Sequence, residues 1–335
     1  MCEMIGMILS MTNTLHSSAN LSSGQPARRF MGSFRDAMAG PLRGIGLYCL
    51  ALILFVGMGT ISKTLSATYP VEQVVWARYF FHVLLIMMLF PRRILGLFRT
   101  QKLGLQITRS VVVFCATAFG FTSLSIMPMA QVSAIGYVAP LIVTVLSILI
   151  LKERVGPRRL VAVVIGFLGV VVILRPDRAD FDVWSLLPLA MAASYATYMI
   201  LTRMIRGAAP PMNSLFYTAI VGAVVATVPL PFVWQNPEPL HWLMFAGMGV
   251  IGGTGHLLMI RAFEHSEASM LAPFVYTELL WAIIVGALVF GDLPTLEMVG
   301  GAAVIMGSGM FILYREHQEA QRIRRAIEAP AIAAE

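Results

Sequence analysis

Three ionisable side chains stand within otherwise apolar stretches of this sequence and are well placed to do chemistry. They are Glu278 in VYTELLWAIIVGALVFGD, Arg78 in VWARYFF and His256 in GGTGHLL. A charged group in apolar surroundings is costly unless it faces a partner, a ligand or water. We therefore predict that Arg78 and Glu278 form a substrate- or ion-binding pair, and that Glu278 and His256 can relay an ion or a proton. The alternative is structural, with Arg78 packing near the interface and Glu278 locking a helix by a hydrogen bond.

Aromatic and acidic residues extend this candidate site. Tyr137, Tyr276 and Trp281 lie in two similar apolar segments, and as cavity-lining rings they suit the face of a substrate ring such as adenine. Ordinary membrane packing is the alternative for these three residues. Glu153 and Asp292 each end an apolar run, so we interpret them as helix-end structural acids that cap or pair locally.

The composition predicts that membrane-spanning helices position these residues. Of 335 residues, 58% are hydrophobic and only 12% are charged, whereas a soluble domain carries about 25% charged residues. Runs of about 20 apolar residues predict an all-α membrane protein with ten transmembrane helices. The runs lie at 44–65, 71–91, 104–125, 127–151, 159–174, 183–202, 213–235, 240–260, 268–290 and 296–314.

The basic residues predict the orientation of these helices. With both termini cytoplasmic, most of the 24 lysines and arginines fall in cytoplasmic loops and tails, as the positive-inside rule requires. Lys63, Arg175 and Arg178 fall on the outer side. Arg109, about one turn into the third segment, is predicted to reach the cytoplasmic interface. The net charge of +7 is thus explained by topology, without a nucleic-acid partner.

The two ends of the chain differ from its apolar body. Residues 1–40 are predicted to be a disordered cytoplasmic tail, and no basic stretch before an apolar core indicates a cleavable signal peptide. Residues 316–335 are predicted to continue the last helix as a cytoplasmic tail. The true start codon stays open, because Met31 and Met38 are alternatives.

The apolar body repeats itself. At a constant offset of 139 residues, AIGYVAPLIVTVLSILILKE (134–153) aligns with PFVYTELLWAIIVGALVFGD (273–292), so that Tyr137 matches Tyr276 and Glu153 matches Asp292. Five predicted helices separate equivalent positions, and because five is odd the second repeat is inverted in the membrane. Inverted repeats are typical of secondary transporters, in which we expect each repeat to form one flank that rocks around a central site.

The stretch AQVSAIGYVAPLIVTVLSILILKERVG and its later echo resemble the EamA-type drug/metabolite transporter superfamily. The resemblance covers about residues 43–315, as one five-helix repeat at 43–175 and a second at 183–315. It implies that Glu153 and Asp292 are the acids that end the fourth helix of each repeat, and that Arg78 is the arginine common in the second helix. The second repeat departs from the pattern with Leu279 where the first has Pro140. RPD, APFVYTELLWA and FGD are most similar to members that take up S-adenosylmethionine.

Two classes of function, a membrane enzyme and a solute carrier, compete for a polytopic membrane protein. A polytopic membrane enzyme needs a reactive cluster, and the sequence contains no HExxH, GxGD or G-x-S-x-G motif. Cys2, Cys49 and Cys115 form no metal-ligand spacing, and nothing indicates a cofactor. We therefore predict a non-enzymatic secondary transporter of a small organic metabolite in the bacterial inner membrane, with S-adenosylmethionine import favoured and amino-acid or drug export as the alternative. Its predicted partners are a small-molecule substrate and membrane lipid, and its predicted oligomeric state is monomer or homodimer.

Overall fold

The chain folds into a set of long helices, and the computed structural model describes residues 26–153, 155–175, 183–205, 210–266 and 268–332. Within those residues every regular element is helical. We number the main helices as follows: α1 Pro26–Ser66, α2 Val71–Leu89, α3 Leu103–Ile126, α4 Met129–Leu151, α5 Pro157–Leu174, α6 Leu187–Ile205, α7 Pro211–Thr227, α8 Pro239–His265, α9 Pro273–Phe290 and α10 Leu296–Ile332.

The lengths of these helices confirm the all-α membrane fold. Among the described residues, nine helices are long and apolar enough to cross a bilayer, with mean hydropathies between 1.3 and 2.5. The tenth, α7, has 17 residues and is therefore about 26 Å long, at the lower limit for a spanning helix. Prolines begin α5, α7 and α8, because the first turn of a helix needs no amide hydrogen there.

Helix ends differ from the sequence prediction in two places. Helix α1 begins at Pro26, so residues 26–40, predicted to be disordered, are helical, while residues 1–25 lie outside the described part. Helix α7 ends at Thr227, eight residues before the predicted end at 235, because Pro229 and Pro231 allow only a short separate turn, Leu230–Val233. Packing contacts divide the chain into two units, Met1–Leu42 and Arg43–Glu335.

Eight of the helices pack side by side in a closed ring, whose order is α1, α8, α2, α7, α3, α6, α4, α9 and back to α1. Every neighbouring pair in this ring joins one helix from residues 43–175 to one from residues 183–315. The two repeats are therefore interleaved, and the prediction that each repeat forms its own flank is wrong. Close packing and polar contacts between the repeats, such as Arg109 of α3 with Ser214 of α7 and the α8 glycines against α1 and α2, hold the helices in this order.

The interleaved ring has two special contacts, α2 with α7 and α4 with α9, in which a helix meets its own repeat equivalent. Cutting the ring at these contacts gives bundle A, with α1, α2, α8 and α9, and bundle B, with α3, α4, α6 and α7. Outside the ring α5 packs against α10, where Gly169 and Gly301 let the backbones approach closely.

Helices α4 and α9 are interrupted at equivalent places. In α4 the segments Met129–Gly136 and Ala139–Leu151 are separated by a turn, and in α9 a 3₁₀ turn ends at Tyr276 before the α-helix Thr277–Val285 begins. Pro140 removes an amide hydrogen just after the turn in α4. Interrupted helices at the membrane interior are typical of transporter binding sites.

The ends of α4 and α9 also match in detail. Lys152 and Gly291 both adopt the left-handed conformation, with φ of 55° and 71°. The amides of Glu153 and Asp292 then donate to the carbonyls of Ser147 and Gly286, at 3.2 and 3.0 Å. All three pairs are separated by the 139-residue offset found in the sequence. The repeat is thus visible in backbone geometry as well as in residue types.

Candidate functional site

Glu278 lies within the ring, in the first turn of the α-helical segment Thr277–Val285. Its side chain is only partly exposed, and it makes no hydrogen bond or ion pair with any residue in the described part of the chain. Glu278 and Arg78 are therefore not bonded to each other in this structure, and their role as a substrate- or ion-binding pair stays a prediction. The amino-terminal end of a helix favours a negative charge, which compensates the carboxylate in part.

Three tyrosines lie within electrostatic range of Glu278. The hydroxyl groups of Tyr48, Tyr137 and Tyr195 all lie close enough to interact electrostatically with its carboxylate. Tyr48 comes from α1 and Tyr195 from α6, so both bundles contribute. Sequence reasoning did not select Tyr48 or Tyr195, because neither has a tyrosine at the 139-residue repeat offset to mark it.

Tyr137 and Tyr276, the matched tyrosines of the repeat, meet where α4 crosses α9. Their ring centroids are 5.3 Å apart at 60°, and the Tyr137 hydroxyl donates to the Val275 carbonyl at 3.2 Å. Both are buried, and the Tyr276 hydroxyl has no hydrogen-bond partner among the described residues. Trp281, one turn beyond Glu278, is partly exposed. The tyrosines therefore join the two bundles close to the acid.

Arg78 is held by neutral groups. Its guanidinium donates to the Thr117 hydroxyl and lies 5.0 Å from the ring centroid of Tyr79 and 5.6 Å from that of Phe121. The Tyr79 hydroxyl also approaches Thr117 Oγ1, at 2.8 Å. No carboxylate pairs with Arg78 within the described residues, so its charge is available to an anionic ligand group.

Arg109 is buried within the protein, and its approach to the cytoplasmic interface stays a prediction. Its side chain is held inside bundle B, where it donates to the Ser214 carbonyl at 2.6 Å and to the Thr218 hydroxyl at 2.8 Å, beneath the Tyr198 ring. These partners come from α6 and α7. Arg109 therefore fastens three helices together, which a linear distance from the membrane surface cannot reveal.

The histidines form a pair of their own. The rings of His82 and His256 are parallel within 5°, with centroids 5.9 Å apart, and Phe55 packs on His256. His256 lies within electrostatic range of Arg78 and Arg109. The described residues contain no group of three or more histidine, cysteine or carboxylate side chains that could hold a metal ion.

The helix-end acids pair across the repeats. Asp292 lies 3.2 Å from Lys63 of α1, and Glu153 lies 3.2 Å from Arg203 of α6. The Asp292 contact is electrostatic, since its Oδ2 atom accepts no hydrogen bond. Glu153 and Asp292 thus do end their helices, but their partners are distant in sequence, not local as expected.

A polar cavity of about 270 Å³ opens beside Asp292, at the end of the molecule where α1 and α9 finish. Gln131, Arg175 and Glu297 line it, and Arg175 donates to Glu297. Because Glu278 and the tyrosines are not among its lining residues, this cavity is separate from the central site.

Comparison with known proteins agrees with this architecture. The EamA-like transporter family model matches residues 42–175 and 182–314. A Rickettsia conorii S-adenosylmethionine uptake transporter is 28% identical, covering 86% of this chain and 98% of the relative. A Vibrio cholerae riboflavin transporter is 28% identical, covering 85% and 97%, and a Pseudomonas aeruginosa pseudopaline exporter is 25% identical, covering 78% and 93%.

A solved crystal structure shares the fold, with a TM-score of 0.55 at 16% identity over 81% of this chain and 95% of that chain. The two family matches correspond to the two interleaved repeats, α1–α5 and α6–α10. The chain is therefore a multi-pass membrane transporter of a small metabolite and belongs to the EamA-like transporter family.

Proposed function

We propose that this transporter imports a metabolite with a cationic centre, S-adenosylmethionine or a close relative, across the bacterial inner membrane. The observation that supports it is the Glu278 carboxylate, which has no hydrogen-bond or ion-pair partner among the described residues. A sulfonium or amine would supply the missing counter-charge. The tyrosines beside Glu278 add electron-rich rings, which attract cations.

A substrate that carries a carboxylate as well as a cationic centre can pair that carboxylate with Arg78. Its guanidinium is bound only to Thr117 and aromatic rings within the described residues, and a guanidinium matches a carboxylate in shape. Arg78, Tyr137, Tyr276, Glu278 and Trp281 are the proposed substrate-binding residues, with Glu278 and His256 as possible ion or proton carriers. A zwitterionic metabolite uses both ends of this site.

The proposal also includes the orientation of the protein in the membrane and the driving force for transport. The distribution of arginine and lysine supports a cytoplasmic location of both termini. We propose that the transporter acts without catalysis or cofactor, as monomer or homodimer. The sequence has no P-loop motif, which favours transport driven by a gradient, by substrate exchange or by simple downhill flow.

Counterflow in proteoliposomes tests the substrate. Vesicles loaded with unlabelled S-adenosylmethionine should accumulate the labelled compound, and S-adenosylhomocysteine, which lacks the sulfonium charge, should compete at least about tenfold less well, a difference of roughly 1.4 kcal/mol. Equal competition by S-adenosylhomocysteine would remove the role of the cation. Accumulation of riboflavin in place of S-adenosylmethionine would replace the substrate.

Export is the second candidate, and the similarity to a pseudopaline exporter favours it. Direction can be separated from substrate identity by imposing opposite proton or sodium gradients on the same vesicles. Faster efflux than influx under an inward gradient would indicate an exporter of an amino-acid-like or drug-like compound.

A further inference from the structure

Lys63 contacts both bundles at the face of the molecule where α1 ends. Its ammonium lies 3.2 Å from Asp292 Oδ2 of α9, which belongs to bundle A as Lys63 does. The same ammonium donates to the Met127 carbonyl at 2.7 Å, just before α4 begins in bundle B. This hydrogen bond holds the two bundles together at that face.

Arg203 is the repeat equivalent of Lys63. The two lie 140 residues apart, near the ends of α6 and α1, and their acidic partners Glu153 and Asp292 lie 139 residues apart on matched backbone turns. Because five helices separate α1 from α6, the Arg203–Glu153 pair lies at the opposite face of the membrane. This follows from the helix count alone, whichever face is cytoplasmic.

The Lys63–Asp292 and Arg203–Glu153 ion pairs differ in how far they are exposed. The Lys63 and Asp292 side chains are 17% and 24% exposed, whereas those of Arg203 and Glu153 are 54% and 40% exposed. Among the described residues the Arg203 guanidinium forms an ion pair with Glu153 alone, and both residues belong to bundle B. By the 139-residue offset, the equivalent of the Met127 carbonyl is that of Ser266, which directly follows α8 in bundle A.

We propose that Lys63 and Arg203 are reciprocal latches of the transport cycle, each of which joins bundles A and B by a hydrogen bond at its own face of the membrane in one state. In this structure the Lys63 bond between the bundles is formed and, among the described residues, the Arg203 bond is not. In the opposite state Lys63 leaves Met127 and Arg203 donates to the backbone near Ser266, so that the second repeat adopts the contacts now seen in the first. Asp292 and Glu153 keep each cation paired within its own bundle when its latch opens, which avoids an uncompensated charge. This proposal rests on the proposed alternating access between the two faces.

Each latch stabilises one state, so removing it shifts the equilibrium toward the other state. Lys63→Met should therefore favour opening at the face where α1 ends. Arg203→Met should favour the state seen here, which is closed at that face. Because each state then lacks one latch, the double variant Lys63→Met/Arg203→Met should return close to the wild-type balance.

Spin-label distances in proteoliposomes measure this balance without any substrate. One label pair joins Leu293 of bundle A to Ile126 of bundle B near Lys63, and the other joins Met270 of bundle A to Met204 of bundle B near Arg203. All four positions are exposed. We expect each single variant to change the ratio of open to closed distances at least about threefold, in opposite directions, since hydrogen bonds from charged donors are the stronger ones.

Arg261→Met is the matched control. Arg261 pairs with Glu264 one turn away on the same helix, 3.1 Å apart, so its loss should leave both distances unchanged. The proposal fails if Lys63→Met and Arg203→Met shift the balance in the same direction, or if neither differs from the control. Normal counterflow with unchanged distances rejects the latches alone, whereas shifted distances without counterflow of S-adenosylmethionine reject the substrate alone.

Discussion

At the scale of single residues, Glu278 makes the sharpest prediction. Glu278→Gln keeps the shape of the side chain and removes the charge that a cationic substrate would neutralise. We expect a folded, inserted protein whose counterflow is reduced at least about tenfold, equivalent to roughly 1.4 kcal/mol. Initial rates in proteoliposomes over a range of pH measure this effect.

Two variants make that result specific to the site. Glu278→Asp keeps the charge and should retain more activity than Glu278→Gln, while Glu72→Gln, at an exposed position in the first turn of α2, should behave as wild type. Unchanged kinetics in Glu278→Gln at every pH would show that the acid is structural.

The sequence identified Glu278, Arg78 and the matched tyrosines because each departs from an apolar pattern or repeats at a fixed offset. It did not identify their partners. Arg78 binds Thr117 and Arg109 binds Thr218, and hydroxyl groups of this kind are common along membrane helices, so nothing marks the ones that meet an arginine. Such contacts depend on how helices distant in sequence are arranged.

At the scale of elements, the crossing of α5 and α10 depends on two glycines. A Cβ atom on Gly301 would lie 2.6 Å from the Gly169 carbonyl oxygen, and one on Gly169 would lie 2.8 Å from the Gly301 oxygen. Backbone atoms cannot move aside cheaply, so Gly301→Ala should destabilise the protein by about 1–3 kcal/mol. Thermal unfolding in detergent measures the loss.

The neighbouring residue provides the control for this prediction. A Cβ atom on Gly300 meets nothing within 4 Å, so Gly300→Ala should be neutral or slightly stabilising, because alanine has the higher helix propensity. Equal unfolding temperatures for the two alanine variants would mean that the crossing can relax and that close approach of the backbones is unnecessary.

Hydropathy and proline positions predicted the helices well, since each property acts locally. The turn within α4 and the short α7 both follow from prolines, Pro140 and Pro229. The order of packing could not be predicted in this way, because lipid-facing and ring-facing surfaces are almost equally apolar in membrane helices. The polar contacts that fix the order, such as Arg109 with Ser214, appear only in three dimensions.

At the scale of the whole molecule, interleaving changes which parts can move. Every contact around the ring joins the two repeats, so one repeat cannot rotate as a body without breaking all of them. Bundles A and B meet at α2 with α7, at α4 with α9, at the Arg78–Thr117 bond between α2 and α3, and at the Lys63–Met127 bond. Tyr137 and Tyr276 lie at the contact of α4 with α9. The proposed substrate residues therefore stand at the contacts that must change during transport.

The orientation of the molecule gives the last prediction. The loop between α2 and α3 contains four basic residues, Arg92, Arg93, Arg99 and Lys102, whereas the loop between α9 and α10 contains none. The positive-inside rule therefore places the first loop in the cytoplasm and the second outside. After replacement of the native cysteines, Leu293→Cys and Asn236→Cys should react with an impermeant thiol reagent added to intact cells, while Gln101→Cys and Gly156→Cys should react only after permeabilisation. The reverse labelling would overturn the proposed orientation, and labelling of all four positions in intact cells would contradict the alternation of helices on which the inverted repeat depends.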